Sequence, residues 1–236
     1  MLYVKLADTV FALKLRFRLN RNRFRDWKTR RDRSAIPVML TDEELAAEAG
    51  ADQKPIAYNE FLGLQRKISH LLFERDTVLM HASVIDVDGK GYAFTAPSGT
   101  GKTTQTQLWV KKFGPRAQVV NGDKPFVRFA DGQIIAYGTP WRGKEGLGGN
   151  LKTPLKAICF LEQAEQNEIR RMESKEVLPR LMKQLLIPTE IGQREHFLDL
   201  TEQMLTRIDW YLMRCNLDEE TAEMAYKEMS KPHAED

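Results

Sequence analysis

The sequence contains few features of a secreted or membrane-bound protein. Only two cysteines occur among its 236 residues, Cys159 and Cys215, and each lies in an apolar run. This placement favours two buried thiols in a reducing compartment over a disulfide framework, and a metal site would need more ligands nearby. The N-terminus lacks a basic region followed by an apolar one, and no segment approaches the ~20 apolar residues of a membrane helix. We therefore expect a cytoplasmic protein without a membrane partner.

An excess of charge of one sign is also lacking, since 36 Lys and Arg face 33 Asp and Glu and leave a net charge of +3. This charge is too small to indicate a polyanion, so a nucleic-acid partner is disfavoured, while self-association stays open. One local exception is residues 14–33, with ten Lys or Arg against Asp26 and Asp32. Such a stretch would suit an anionic peptide, phosphate or nucleic acid, or it is simply the solvated face of strands.

The chain divides by pattern into a short N-terminal part and a longer remainder. Alternating stretches such as residues 9–19 are typical of strands with one solvated face, so residues 1–56 are predicted to form a small β-rich subdomain. Thr41 and the acids after it then indicate the start of a short helix. At ~100–200 residues per domain, one main domain is expected besides this appendage, and we place it at residues 57–236.

The main domain is predicted to be mixed α/β with helices at its C-terminal end. Two hairpins are expected around the turn dipeptides Asp88-Gly89 and Asp131-Gly132. Residues 138–150 hold five glycines and are predicted to form a loop that is mobile by composition. Helical patterns occupy residues 58–75, 104–112, 174–186, 195–208 and 218–229, and strand patterns occupy residues 118–123, 155–161 and 210–215.

Residues 96–104, the phosphate loop, carry the strongest functional signal. They match the phosphate-binding pattern Gly-x-x-x-x-Gly-Lys-[Ser/Thr] except at the first position, where Ala96 requires a negative φ. Glycines let successive N–H groups converge on one anion, and the helix that follows adds the positive end of its dipole. Lys102 would reach the β- and γ-phosphates, and Thr103 would offer its hydroxyl to Mg²⁺. The predicted nucleotide-binding residues are Ser98, Gly99, Thr100, Gly101, Lys102, Thr103 and Thr104.

Phosphoryl transfer needs further groups beside the phosphates. Asp123 ends a β-rich run and is expected at the same sheet edge as the loop, where it would hold Mg²⁺ or accept a proton, unless it only forms a turn. His81 is expected close to the phosphates or is simply packed. Arg142 and Lys144 are the candidates on the substrate side, unless their loop is an ordinary exposed one. The residues predicted to be catalytic are Asp123, His81, Lys102 and Arg142.

Four motifs, taken together, resemble the catalytic domain of HPr kinase/phosphorylase and its shorter relatives. They are residues 81–85, 96–104, 120–125 and 138–144, in the family's order. The resemblance implies a P-loop core like that of phosphoenolpyruvate carboxykinase, and ATP- and Mg²⁺-dependent phosphorylation of a serine hydroxyl on a protein or peptide. It also implies roles in transfer for His81 and Asp123. Some short relatives resemble kinases of ribosomal peptide precursors, which is one expectation for the acceptor.

The chain departs from HPr kinase itself at two places. Gly122 and Asp123 stand where that family shows two adjacent aspartates, and the N-terminal part does not resemble the family's N-terminal domain. A kinase of a small hydroxylated molecule and a non-catalytic ATP-sensing regulator therefore stay open as alternatives. A GTPase is disfavoured, because the sequence has no Asn-Lys-x-Asp stretch for guanine.

Overall fold

The computed structural model of the chain describes residues 1–49, 54–216 and 218–232. The chain folds into two compact units, Met1–Thr77 and Val78–Asp236. The domain boundary that we placed between residues 56 and 57 stays a prediction. None of the helices in the described residues is long and apolar enough to cross a membrane.

Within residues 1–49 and 54–77, the first unit contains a three-stranded sheet and three α-helices. In the sheet, β2 lies between the other two strands, antiparallel to β1 and parallel to β3. The predicted cap at Thr41 is confirmed, because its side chain accepts the Glu44 N–H while the Glu44 carboxylate accepts the Thr41 N–H. The elements are β1 (Leu2–Leu6), β2 (Thr9–Leu13), α1 (Arg18–Arg23), a 3₁₀ helix (Arg25–Trp27), β3 (Ile36–Val38), α2 (Asp42–Ala47) and α3 (Ile56–Phe73).

The predicted strand over residues 9–19 is wrong beyond Leu13, because a helix begins at Arg18. The buried Glu60 carboxylate accepts the Arg16 N–H at 2.6 Å and the Asn20 amide at 2.7 Å. These contacts span about forty positions of the chain, so they lie outside the reach of a local pattern. The interpretation of residues 14–33 as a strand face is wrong for the same reason, although most of their cations are exposed.

The described residues of the second unit form a nine-stranded mixed sheet and four helices, which confirms the predicted mixed α/β class. The sheet path runs β4-β8-β9-β10-β6-β5-β7, and β12 pairs with β10 and β11. The strands are β4 (Thr77–Leu79), β5 (Ser83–Val87), β6 (Lys90–Thr95), β7 (Ala117–Asn121), β8 (Phe126–Ala130), β9 (Gln133–Tyr137), β10 (Lys152–Gln163), β11 (Glu168–Arg171) and β12 (Asp209–Cys215). The helices are α4 (Lys102–Phe113), α5 (Ser174–Leu181), α6 (Arg194–Arg207) and α7 (Glu220–Met229), with 3₁₀ turns at Gly114–Arg116 and Ile191–Gln193.

Both predicted hairpins are present. The β5–β6 pair turns at Asp88 and Gly89, with φ of 53° and 79°, and the β8–β9 pair turns at Asp131 and Gly132, with φ of 50° and 70°. Two successive left-handed residues suit the twist of a hairpin, which explains the Asp-Gly dipeptides. Helix α5 ends earlier than predicted, at Leu181.

Helix α4 is anchored to the sheet by aromatic packing. Trp109 is fully buried, and its ring lies 5.0 Å from that of Tyr92, 5.2 Å from that of Phe94 and 5.7 Å from that of Tyr226. Truncating such a residue costs about 3–5 kcal/mol. This packing fixes the direction in which the first turn of α4 points. The two cysteines lie in the same core cluster as buried thiols, as predicted.

Candidate functional site

The sheet topology brings the predicted site residues to one edge. Strand β6 ends at Thr95, and the phosphate loop leads from there into α4. Because β5 runs antiparallel to β6, Ser83 pairs with Phe94 and His81 lies at the same edge. Strand β7 pairs with β5 through Asn121 and Val84, so the residues after β7 also emerge there.

The phosphate loop is open, and the helix α4 that follows it has no side-chain cap among the described residues. Gly99 and Gly101 have φ of +83° and +118°, a left-handed region that favours glycine. A methyl group added at Gly99 would meet nothing within 4 Å among the described residues. Gly101 is the N-cap of α4, and no side chain of the described residues accepts the first N–H groups of this helix through a cap. Ala96, which departs from the motif, is not among the residues with positive φ. The loop therefore fits a phosphate group.

Lys102 is buried at the base of the loop. Its ammonium donates to the carbonyl oxygens of Ala96 at 2.8 Å and Pro97 at 3.2 Å. Burial lowers the pKa of Lys102, the charge of Asp123 opposes this shift, and the charge of Lys124 adds to it. Burial disfavours the charged ammonium because it removes water. An anion bound in the loop would stabilise this charge in place of the lost water.

His81 and Asp123 form a pair across the site. His81 Nε2 lies 3.2 Å from Asp123 Oδ1. The main chain fixes both residues, because the Ala82 N–H donates to the Asp123 carbonyl at 3.0 Å and the His81 N–H donates to the Gln184 carbonyl at 2.7 Å. Burial raises the pKa of Asp123, but the hydrogen bond from His81 and the charges of Lys124, His81 and Lys102 outweigh it and hold that pKa below its ordinary value. The carboxylate is thus ionised at neutral pH, as a metal ligand or proton acceptor must be.

Asn121 positions Asp123, a role that the sequence did not indicate. Its side chain is fully buried, and Oδ1 accepts the N–H groups of Asp123 at 2.8 Å and Lys124 at 2.7 Å. Its amide donates to Thr139 Oγ1 at 3.0 Å. The sequence feature that could have indicated this role is an asparagine at a strand end before Gly-Asp. An asparagine side chain often accepts a hydrogen bond from the main chain two residues further on.

Residues 138–150, the glycine-rich loop, pack closely against β7. A methyl group at Gly138 would lie 1.9 Å from the Gly149 carbonyl oxygen and 2.5 Å from that of Val120. One at Gly148, which has φ of +103°, would lie 2.6 Å from the Val120 oxygen. The predicted loop is confirmed, and its close backbone contact with β7 requires glycine at Gly138 and Gly148. The mobility that composition predicts for the loop stays a prediction, and residues 143–146 are exposed.

The two cations of this loop differ in their surroundings. Arg142 Nη1 donates to the Gly148 carbonyl at 2.8 Å, so this side chain braces its own loop. Lys144 is exposed and has no hydrogen bond or ion pair to the described residues. A methyl group at Gly143 would lie 3.2 Å from Asp123 Cβ, so the loop passes directly beside the aspartate.

The residues present fit a magnesium ion that is shared with a nucleotide. Within residues 1–49, 54–216 and 218–232, no three His, Cys, Asp or Glu side chains form a group that could hold a metal alone. Mg²⁺ is usually bound through one or two carboxylates together with substrate phosphates. Asp123 supplies such a carboxylate, and Thr103, half-buried in the first turn of α4, supplies a hydroxyl.

Comparison with known proteins gives little beyond this geometry. No protein-family model matches the chain, and no curated protein matches it. Among solved structures, the Hpr(Ser) kinase/phosphatase from Coxiella burnetii is similar at a TM-score of 0.31 and 14% sequence identity, over 52% of this chain and 86% of that chain. A similarity this weak decides nothing about this chain, so the function has to be argued from the site.

Proposed function

We propose that this chain is an ATP- and Mg²⁺-dependent kinase that phosphorylates a serine hydroxyl, or a similar one, on a peptide or protein. The observation that carries the proposal is the meeting of an uncapped phosphate loop, a buried Lys102 and the His81–Asp123 pair at one sheet edge. The loop alone would indicate nucleotide binding. The ionised carboxylate held beside Lys102 is what adds transfer chemistry.

The chain's own residues divide the work of the reaction. The N–H groups of residues 98–104 and the Lys102 ammonium hold the phosphates and stabilise the charge that builds up on them. Mg²⁺, when bound with the nucleotide through Thr103 and Asp123, would neutralise phosphate charge. The acceptor oxygen bonds to the γ-phosphorus as the bond to the β,γ-bridging oxygen breaks, ADP leaves, and the hydroxyl proton passes to Asp123.

His81 and the glycine-rich loop support this chemistry. His81 orients the Asp123 carboxylate through Nε2. Arg142 braces the loop that passes beside Asp123, and Lys144, which is exposed beside Gly143, would contact the acceptor. Lys144→Ala is therefore expected to raise the KM for the acceptor while leaving the affinity for ATP unchanged.

The central test compares Asp123→Asn with a matched control. Asp131→Asn changes an exposed carboxylate in the β8–β9 turn, where asparagine tolerates the positive φ. Each protein is titrated with Mg-ATP by calorimetry and then incubated with ATP and a library of serine-containing peptides, which are read by mass spectrometry. We expect Asp123→Asn to keep binding ATP and to lose transfer by at least about 100-fold, in the range of a lost general base. The control is expected to behave like the wild type.

Two results would contradict the proposal. A wild-type chain that takes up no Mg-ATP has no functional phosphate loop. If Asp123→Asn still phosphorylates a peptide at the wild-type rate, the carboxylate has no part in transfer. A nucleotide-sensing regulator would instead bind ATP and show no phosphopeptide with either protein.

A further inference from the structure

A pocket of about 340 Å³ lies beside the phosphate loop, at the carboxyl end of β10. Its walls come from Ala96, Pro97 and Thr100 of the loop, from residues 160–163, and from Arg180, Lys183 and Gln184. We propose that this β10 pocket binds the nucleoside of the nucleotide whose phosphates occupy the loop. The inference rests on the proposed kinase function, and it assigns a site that the transfer chemistry does not use.

Different groups lie on the two flanks of β6, the β5 side and the β10 side. Strand β6 lies between β5 and β10. The β5 flank carries His81 and Asp123, whereas the pocket opens beside β10 and reaches the His81 side only at Gln184, whose carbonyl accepts the His81 N–H. A nucleoside triphosphate that lies across the loop has its γ-phosphate toward one flank and its nucleoside toward the other. Because the transferred phosphate belongs beside Asp123, the nucleoside falls on the β10 flank.

The phosphate site and the pocket also share a wall. The carbonyl oxygens of Ala96 and Pro97 hold the Lys102 ammonium, and the same two residues line the pocket. The two spaces are therefore adjacent, so one molecule with an anionic chain and a compact nucleoside can fill both. The volume lies at the lower end of the range of about 300–1,000 Å³ for small-molecule pockets, which suits a nucleoside better than a folded peptide segment.

The lining offers the groups that a base requires. Pro97, Phe160 and Leu161 supply apolar surface. Pairing of β10 with β6 ends at Phe160 and Thr95, whereas pairing with β12 continues to Gln163 and Cys215. In the part of the chain that the structure describes, residues 161–163 thus have no strand partner on the β6 side. An unpaired strand edge presents main-chain donors and acceptors to a ligand.

Gln184 supplies a further polar group to the pocket wall. Its side-chain oxygen, Oε1, is buried and has no hydrogen-bond partner among the described residues. A buried acceptor without a partner has lost its hydrogen bonds to water and is costly to the folded state. A ligand amino or hydroxyl group that reaches this oxygen would remove that cost. An apolar wall with a few polar groups is the usual composition of a site for a heterocycle.

The experiment separates the nucleoside from the phosphates. The full chain is titrated with Mg-ATP and with Mg-tripolyphosphate as wild type, Gln163→Trp and Gln166→Trp. Both glutamines are exposed, but only Gln163 lines the pocket, so Gln166→Trp is the matched control. We expect wild type to bind ATP about 10-fold more tightly than tripolyphosphate, a difference of 1.4 kcal/mol. Gln163→Trp should weaken ATP about 10-fold and leave tripolyphosphate unchanged, and the control should change neither.

The alternatives give different results. Equal affinity of the wild type for ATP and tripolyphosphate would overturn the nucleoside site and leave the phosphate loop standing. If Gln163→Trp leaves ATP binding intact, the inference is wrong, and a raised KM for the acceptor peptide in that variant would assign the pocket to the acceptor. If neither ligand binds to wild type, the proposed function fails and this inference fails with it.

Discussion

Two glycine-rich loops border the site, and Gly99 of one serves the opposite purpose to Gly138 of the other. In the phosphate loop, Gly99 has a positive φ and open space around the position of a side chain. In the glycine-rich loop, Gly138 leaves no space at all, because a methyl group there would overlap the Gly149 oxygen. The first loop needs glycine to turn its N–H groups toward a ligand. The second needs it to let two backbones touch.

This difference assigns separate tasks to the two loops. The open loop is the part that meets the ligand, whereas the packed loop is part of the frame that holds Asp123 in place. Gly122 fits the same frame, since a methyl group there would lie 3.0 Å from the Arg142 carbonyl and 3.1 Å from Leu147 Cβ. Substitutions in the packed loop should therefore reduce stability first, and those in the open loop should reduce binding first.

The largest effect is expected from Gly138→Ala. Its methyl group would lie 1.9 Å from one carbonyl oxygen and 2.5 Å from another, so the glycine-rich loop must move away from β7. Overpacking of this kind costs about 3 kcal/mol. Urea unfolding followed by tryptophan fluorescence measures the loss, and the buried Trp141 in the same loop is a local probe.

Gly149→Ala is the matched control for this substitution. A methyl group at Gly149 meets nothing within 4 Å among the described residues, and its φ lies outside the left-handed region. Its stability should stay within about 0.5 kcal/mol of wild type, as for an ordinary surface change. If both variants were equally stable, the glycine-rich loop would be as open as the phosphate loop, and the comparison would fail.

A smaller effect is expected from Asn121→Ala, which releases the packed loop from the residues around Asp123. The change removes the acceptor of the Asp123 and Lys124 N–H groups and the donor to Thr139. Buried groups left without partners cost about 2 kcal/mol in total after relaxation. Because Asp123 then loses its position, phosphate transfer should fall more than ATP binding does. Loss of stability with unchanged transfer would assign Asn121 a purely structural role.

The local features of this chain were predictable from the sequence, and the remote ones were not. Asp88-Gly89 and Asp131-Gly132 specify their turns by themselves, and the spacing of the phosphate loop specifies its geometry because donors, glycines and helix start are contiguous. The helix at Arg18 depends on Glu60, forty-odd positions away. The role of Gly138 likewise depends on Val120 and Gly149, which no local composition reveals.

The residues of the site divide in the same way into those that local sequence predicts and those that depend on remote contacts. Lys102 and Thr103 belong to a contiguous motif, so their placement beside the phosphates was a prediction from spacing. The contact between His81 and Asp123 depends on how Ala82 pairs with the Asp123 carbonyl, which is set by the sheet. Asn121 makes two local hydrogen bonds, to the Asp123 and Lys124 N–H groups, but its contacts with Thr139 are assembled only by the fold, and for that reason its role was missed.

Gly99→Ala should cost less stability and more binding than either change in the packed frame. The φ of +83° strains a residue with a Cβ by about 1 kcal/mol, but no described atom obstructs the methyl group. The strain is relieved when the loop changes shape, and its N–H groups then no longer converge on one anion. The Kd for Mg-ATP should rise about 10-fold, equal to 1.4 kcal/mol, by calorimetry. If the variant loses stability as expected but binds ATP like the wild type, the loop does not bind the nucleotide.

The smallest effect concerns the dependence of stability on pH that Asp123, beside the glycine-rich loop, contributes. The folded protein holds the pKa of Asp123 below its ordinary value of 3.8, so its carboxylate is favoured in the folded state. Its contribution to the free energy of unfolding is complete above about pH 4 and is lost as the pH falls through the lower, folded pKa. Asp123→Asn lacks this titration, so its stability should decline less steeply than that of wild type below pH 4. Asp131→Asn, in an exposed turn, should leave the acid limb of the curve unchanged. Urea unfolding at a series of pH values measures all three proteins, and parallel acid limbs for wild type and Asp123→Asn would mean that His81 and the lysines do not stabilise the ionised carboxylate.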